Sequence, residues 1–417
     1  MLRLDFKLYV GVFILIISTL RGFFFLVTGL PPTQTLFFSS TLLIFILIFL
    51  FSNPIKFYKY DNYHLFKNLI YLNLFTGFFW FIIELFLSGF STSLVREFLM
   101  IFFAPISILI FLNLNYKTIL YSIYIIVSII SISCIVDFWI SNVFPGYPLG
   151  IEVKNYYLYK VIPSTTEIVP ARVGAMVRAH GITGSYHDSA NILTFCSVFI
   201  AGNLFFKKQK RILNAFLLFV LLTALICTLS LANIIACFIG LIIINFSVYK
   251  GLVLRTTLSF FVFILIIYFF ESFFDISKYI LPQLDPSGVK MQAMLISGES
   301  NVFQNIVTIL IGHESSTGIS DLGYFSEIAF VALLMKYGIL VFLPFMLVLT
   351  LPIYLYIKSS KTFRKTIFVE TLTLSIAVLT LWHYGSLVRS TSIFLFYALY
   401  SIVIKNHYLE NKLHGKV

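Results

Sequence analysis

Long apolar runs separated by short polar breaks dominate the chain. A helix needs about 20 apolar residues to cross the ~30 Å hydrocarbon core of a membrane, and runs of this kind recur along the whole sequence. The pattern predicts an all-α polytopic membrane protein with residues 1–417 as a single integral membrane domain. Twelve spans are predicted: 8–28, 35–51, 66–87, 94–114, 118–142, 189–206, 212–230, 232–248, 254–272, 323–357, 367–385 and 389–404.

Composition supports this prediction. Of all residues, 59% are hydrophobic and 11% are charged, and the mean hydropathy is +0.98, which lies outside the range of soluble domains. The net charge of +12 comes from short basic clusters between apolar runs. That is the pattern of cytoplasmic loops, so we expect a bilayer and no nucleic acid as partner. The four cysteines lie inside apolar runs without CxxC spacing and are expected to be small core residues.

Basic residues also predict the orientation. With the N-terminus inside, 19 of the 29 Lys and Arg residues fall in inner segments and 6 fall in outer loops, as the positive-inside rule requires. An even number of spans then places both termini in the cytoplasm. Two large loops, 143–188 and 273–321, face outward. The first contains several prolines and is predicted to be mostly irregular, with short helical pieces.

The predicted span 323–357 is too long for one straight crossing. At 1.5 Å per residue it would measure about 50 Å. It contains Lys336-Tyr337-Gly338 in its middle, where we expect a break, with residues 339–357 forming the crossing helix.

Ionisable residues inside the spans gather near the predicted outer ends. Each could be an interfacial side chain that reaches the headgroups, but their common placement indicates a hydrophilic vestibule open to the outside. A channel or an alternating-access carrier would place polar groups at mid-depth instead. The residues are Glu84, Arg96, Glu97, Asp137, Glu271, His383 and Arg389.

The end of the first loop carries side chains suited to an oxyanion. Arg172 and Arg178 are followed by glycines just before a span. Guanidinium groups bind phosphate bidentately, and backbone N–H groups at a helix start add positive potential. A solvated basic loop is the alternative. Arg389, in the last outer hairpin, is either a further phosphate contact or a headgroup anchor.

These residues resemble a known family. Arg178-x-x-Gly181 with Gly184 resembles the R-x-x-G element of the O-antigen polymerase and ligase superfamily. The second loop and the next span resemble the same superfamily in Gly312-His313-Glu314, Ser320-Asp321-Leu322-Gly323-Tyr324, Ser326-Glu327 and Gly338-Ile339. The span count, both large outer loops and the cytoplasmic termini also fit.

The resemblance implies a GT-C-like glycosyltransferase at the outer face of the bacterial inner membrane. It would join oligosaccharide units carried on undecaprenyl diphosphate, with a chain-length regulator and a flippase as further partners. The ligase branch characteristically has a histidine eleven residues before the glycine that matches Gly338, whereas this chain has Glu327. That difference favours an O-antigen polymerase over a ligase that transfers glycan to lipid A–core.

A flippase of the same lipid-linked sugar is a third interpretation. It would need polar residues at mid-membrane in both halves and internal symmetry, and the sequence shows neither.

Roles follow from the implied chemistry. Arginines would stabilise the charge on the departing diphosphate, a carboxylate or imidazole would accept the proton of the acceptor hydroxyl, and other polar side chains would hold the sugars. The diphosphate candidates are Arg172, Arg178 and Arg389; the catalytic candidates are Glu327, His313, Asp321 and His180; the sugar-binding candidates are Tyr324, His187 and His383. Tyr186 could stack on a sugar or anchor at the interface. Without a DxD pair or metal-ligand spacing, we expect no metal and no cofactor.

Overall fold

The computed structural model describes residues 12, 15, 64–112, 114–142, 172–173, 176–183, 186–248, 310, 312, 329–382 and 392–413. The chain divides into two compact units, Met1–Ile126 with Gly298–Val417, and Val127–Ser297. The boundary falls within one long helix.

Almost all of the described chain is helical. In chain order the α-helices are α1 (His64–Ser88), α2 (Thr92–Glu97), α3 (Ser107–Phe111), α4 (Tyr116–Asn142), α5 (Tyr186–Phe205), α6 (Arg211–Cys227), α7 (Leu231–Val248), α8 (Ala329–Lys358), α9 (Lys361–Leu379) and α10 (Ser392–Leu413). Two short strands, β1 (Arg172–Val173) and β2 (Met176–Val177), pair antiparallel.

Four of these helices contain segments long and apolar enough to cross a membrane: Leu65–Leu87, Tyr116–Asn142, Tyr186–Phe205 and Lys336–Lys358. α6 and α7 are apolar but shorter. This is the architecture of a helical membrane protein, as the sequence predicts. The predicted spans 35–51 and 254–272, nearly all of 8–28, and nearly all of the second loop lie outside the described residues.

The predicted span 94–114 is not one continuous helix. After α2 the backbone widens into a π-helix at Phe98–Phe103 and then tightens into a 3₁₀ turn at Ala104–Ile106 before α3. Pro105 lies at the start of that turn, and proline has no N–H for an α-helical hydrogen bond. The side chain of Asn73 in α1 donates to the carbonyl of Phe102 at 3.3 Å, so a neighbouring helix satisfies part of the irregular backbone.

α8 breaks where the sequence predicts. Gly338 has φ 66° and ψ 166°, so it leaves the helical conformation, and a left-handed φ of this size favours glycine. Just before the break, Lys336 forms an ion pair with Glu97 at 2.5 Å, and the Tyr337 hydroxyl donates to the same carboxylate at 3.3 Å. The polar groups at the break therefore hold the end of α2.

A tyrosine of α10 replaces a backbone hydrogen bond that is missing at a proline in α8. Pro352 lies inside α8 and cannot donate to the carbonyl four residues earlier, which belongs to Val348. The buried hydroxyl of Tyr400 in α10 donates to that carbonyl at 2.8 Å. Tyr400 thus supplies the hydrogen bond that the proline removes.

We expect Tyr400→Phe to lower the free energy of unfolding by about 1–2 kcal/mol, because a buried carbonyl would lose its donor. Thermal unfolding of the purified protein in micelles measures this. Tyr397→Phe is the matched control, since the buried Tyr397 hydroxyl has no hydrogen-bond partner in the described part of the chain. Equal loss of stability in both variants would contradict this role for Tyr400.

Candidate functional site

The Arg178-x-x-Gly181 motif lies on a segment, residues 177–183, that is fixed to the end of α4. Asn142, the last residue of α4, makes two hydrogen bonds to Val177: its Oδ1 accepts from the backbone N–H at 2.8 Å, and its Nδ2 donates to the carbonyl at 3.0 Å. One amide side chain therefore satisfies both backbone groups of the residue just before Arg178.

Asp137 of α4 holds the backbone on the C-terminal side of Arg178. Its Oδ2 accepts from the backbone N–H groups of His180 at 2.6 Å and of Gly181 at 3.0 Å, and the residue is 1% exposed. One turn earlier on α4, Ser133 Oγ accepts from the N–H of Ile182 at 3.0 Å. Residues four apart share one face of a helix, so this face of α4 accepts three consecutive backbone N–H groups.

Gly181 allows this close approach. Its φ is +58°, and a Cβ atom added to it would lie 2.6 Å from Cys134 Sγ and 2.9 Å from Ser133 Oγ. Any other residue would meet both the strain of a left-handed backbone and a clash with α4. The glycine of the motif is therefore required by packing against α4.

Neighbouring helices complete the attachment. The N–H of Ala179 donates to the carbonyl of Cys227, at the end of α6, at 3.1 Å. From the first turn of α5, Ser189 Oγ donates to the carbonyl of His180 at 2.8 Å. Arg178 thus lies between two residues, Val177 and Ala179, whose backbones are both held.

The side chains of the motif gather around Tyr186, the first residue of α5. The guanidinium carbon of Arg178 lies 4.5 Å from the centre of the Tyr186 ring, a cation–π contact. The rings of His180 and His187 lie 5.6 Å and 3.7 Å from the same ring, centre to centre. Arg178 is half-buried, so its charge is screened less than that of a solvated arginine.

The backbone N–H groups of His180 and Gly181 lie before the start of α5 and bind the Asp137 carboxylate. At these two positions an anion would have to be held by side chains, chiefly Arg178. The predicted contribution of N–H groups at the start of the helix stays a prediction.

The structure brings together only part of the predicted site. Arg178, His180 and His187 meet at Tyr186, and the backbone of Arg172 pairs with Val177. His180 is 1% exposed, so in this conformation it faces protein. The candidates outside the described residues are Glu327, His313, Asp321, Tyr324, His383 and Arg389.

Sequence reasoning missed the central roles of Asp137 and Asn142. A lone carboxylate inside an apolar run was the available signal, because such a group needs partners to remain in a membrane helix. The shared outer vestibule stays a prediction.

Gly312, from the motif predicted in the second outer loop, lies close to the backbone of α8. Gly312 has φ +81°, and a Cβ atom there would clash with the carbonyl of Lys336 and the N–H of Gly338. Two glycines that the family resemblance singles out, Gly312 and Gly338, therefore meet at the break in α8.

Among the described residues, no group of three or more His, Cys, Asp or Glu side chains could hold a metal ion. All four cysteines are buried and free, as expected for core residues. Comparison of the chain with protein-family models, curated proteins and solved structures gives no match. What the protein does must therefore be inferred from its own residues.

We expect Gly181→Ala to destabilise the protein by about 1–3 kcal/mol and to displace the segment, because backbone strain and steric clash act together. Gly89→Ala is the matched control: Gly89 also has a left-handed φ, +76°, but has open space around its Cβ position. Comparing the thermal unfolding of the two variants separates the destabilisation caused by the clash from that caused by backbone strain. Equal losses would mean that contact with α4 contributes nothing at position 181.

Proposed function

We propose that this protein is a glycosyltransferase of the O-antigen polymerase type, which joins oligosaccharide repeat units carried on undecaprenyl diphosphate. The observation that carries the proposal is the fixed position of Arg178. Its neighbours on both sides are hydrogen-bonded to helices, and its guanidinium packs on Tyr186. A permanently charged group held in place before the reaction is what stabilisation of a departing diphosphate requires.

The position of the segment supports a substrate that is part lipid and part sugar. α4 ends at Asn142 and α5 begins at Tyr186, so Arg178 lies at one end of two helices that can cross a membrane. A polyprenyl chain would occupy the hydrocarbon layer while its diphosphate reaches Arg178. In the orientation favoured by the basic residues, this end faces the periplasm of a bacterial inner membrane.

The reaction is a substitution at the anomeric carbon of the donor sugar. The bond from that carbon to the diphosphate oxygen breaks, and the diphosphate leaves with the electron pair. A bond forms to the acceptor hydroxyl oxygen, whose proton passes to a general base. Arg178, with Arg172 and Arg389, would offset the charge that builds on the leaving group. Glu327, His313, Asp321 and His180 remain the candidates for the base.

We expect Arg178→Ala to lower kcat for repeat-unit transfer by about 10²–10³-fold, the usual loss when one group that stabilises transition-state charge is removed. Arg178→Lys should recover only part of it, because a point charge does not replace a bidentate donor. Transfer by purified protein in liposomes, with a lipid-linked repeat unit as donor and acceptor, measures both.

Arg211→Ala is the matched control, since Arg211 is an exposed arginine at the start of α6 and should leave transfer unchanged. Full activity of Arg178→Ala would overturn the assignment. Surface glycan from a deletion strain distinguishes the related functions: core with one repeat unit indicates a polymerase, and bare core indicates a ligase. Flipping of the lipid-linked sugar without glycosidic bond formation would indicate a flippase.

A further inference from the structure

We infer that Asp137 is the positioning residue of this site: its buried carboxylate holds the Arg178–Gly181 segment against α4 and so fixes the guanidinium that would meet the diphosphate. The inference rests on the proposed function for the identity of the anion. The attachment of the segment can be measured without any substrate.

The energetics of Asp137 support this role. A carboxylate inside an apolar helix costs several kcal/mol unless charged or polar partners offset the cost. Asp137 has such partners in the two backbone N–H groups of His180 and Gly181, and hydrogen bonds to an ionised acceptor are about twice as strong as neutral ones. Ser141 donates to the other carboxylate oxygen at 3.4 Å. The carboxylate therefore lies where backbone and side-chain donors surround it.

The geometry links that task to Arg178. The attachment points of the segment are Val177, Ala179, His180, Gly181 and Ile182. Asp137 supplies the acceptor for two of the five, His180 and Gly181, which lie two and three residues after the arginine. Without these two hydrogen bonds, the segment would be attached to α4 by Asn142 at Val177 and by Ser133 at Ile182. Asp137 therefore controls the middle of the segment.

A single oxygen, Oδ2, accepts both hydrogen bonds. The carbonyl oxygen of an asparagine can occupy that position and accept the same two N–H groups as a neutral acceptor. Asp137→Asn should consequently preserve the geometry in part, whereas Asp137→Ala leaves two buried N–H groups without an acceptor.

Hydrogen exchange of the purified protein in micelles, read by mass spectrometry on peptides covering 177–183, tests the attachment. We expect Asp137→Ala to raise the exchange of the His180 and Gly181 amides at least tenfold, and Asp137→Asn to raise it less. Peptides covering 361–382 should be unchanged. Thr223→Ala is the matched control in the same unit, since the Thr223 hydroxyl donates to the Phe219 carbonyl within α6 and its loss should leave exchange and transfer unaltered.

Transfer kinetics of the same proteins test the link to Arg178. Asp137→Asn should lower kcat about tenfold with little change in the donor KM. In that variant, adding Arg178→Ala should lower kcat much less than Arg178→Ala does in the wild-type protein, because the effects of coupled residues are not additive. A uniform rise in exchange across the protein, or fully additive losses, would overturn the positioning role. If wild-type protein transfers no sugar while exchange responds as expected, the proposed function fails and the attachment stands.

Discussion

Backbone N–H groups in apolar surroundings need an acceptor, and this requirement shapes the described site. Among the described residues, β1 is the only strand that pairs with the segment that carries Arg178. The backbone of the segment is also hydrogen-bonded to side chains of α4, a carbonyl of α6 and a hydroxyl of α5. The position of the arginine is therefore set by three surrounding helices, and the precision of the site depends on how those helices pack.

Polar side chains also lie beside two other irregular points of the described fold. Where Pro352 removes a hydrogen bond from α8, the hydroxyl of Tyr400 replaces it. Where α8 leaves helical geometry at Gly338, Glu97 binds the adjacent lysine and tyrosine. At both points the polar side chain comes from a distant part of the sequence.

This explains what the sequence could and could not predict. Local signals sufficed for α4, predicted at 118–142 and found at Tyr116–Asn142, and for the break at Gly338. The irregular stretch from Phe98 to Ile106 was missed, because it depends on Pro105 and on packing against α1. Arg178, His180 and His187 were predicted from the motif before a span and from the family resemblance, and the structure places them around Tyr186. The sequence showed Asp137 as a carboxylate inside an apolar run, but it did not show the partners of that carboxylate, because they lie more than 40 residues away.

The helix that presents Tyr186 is unusual among the four candidate spans. α5 is the least apolar of them, yet 83% of its most apolar stretch is buried by protein, including Ser189, Asn191 and Thr194. Its neighbours are α6 and α7, which follow it in synthesis. Thr194 of α5 donates to the carbonyl of Asn233 in α7 at 3.1 Å. A nascent chain truncated before α7 would therefore lack the acceptor for this buried hydroxyl.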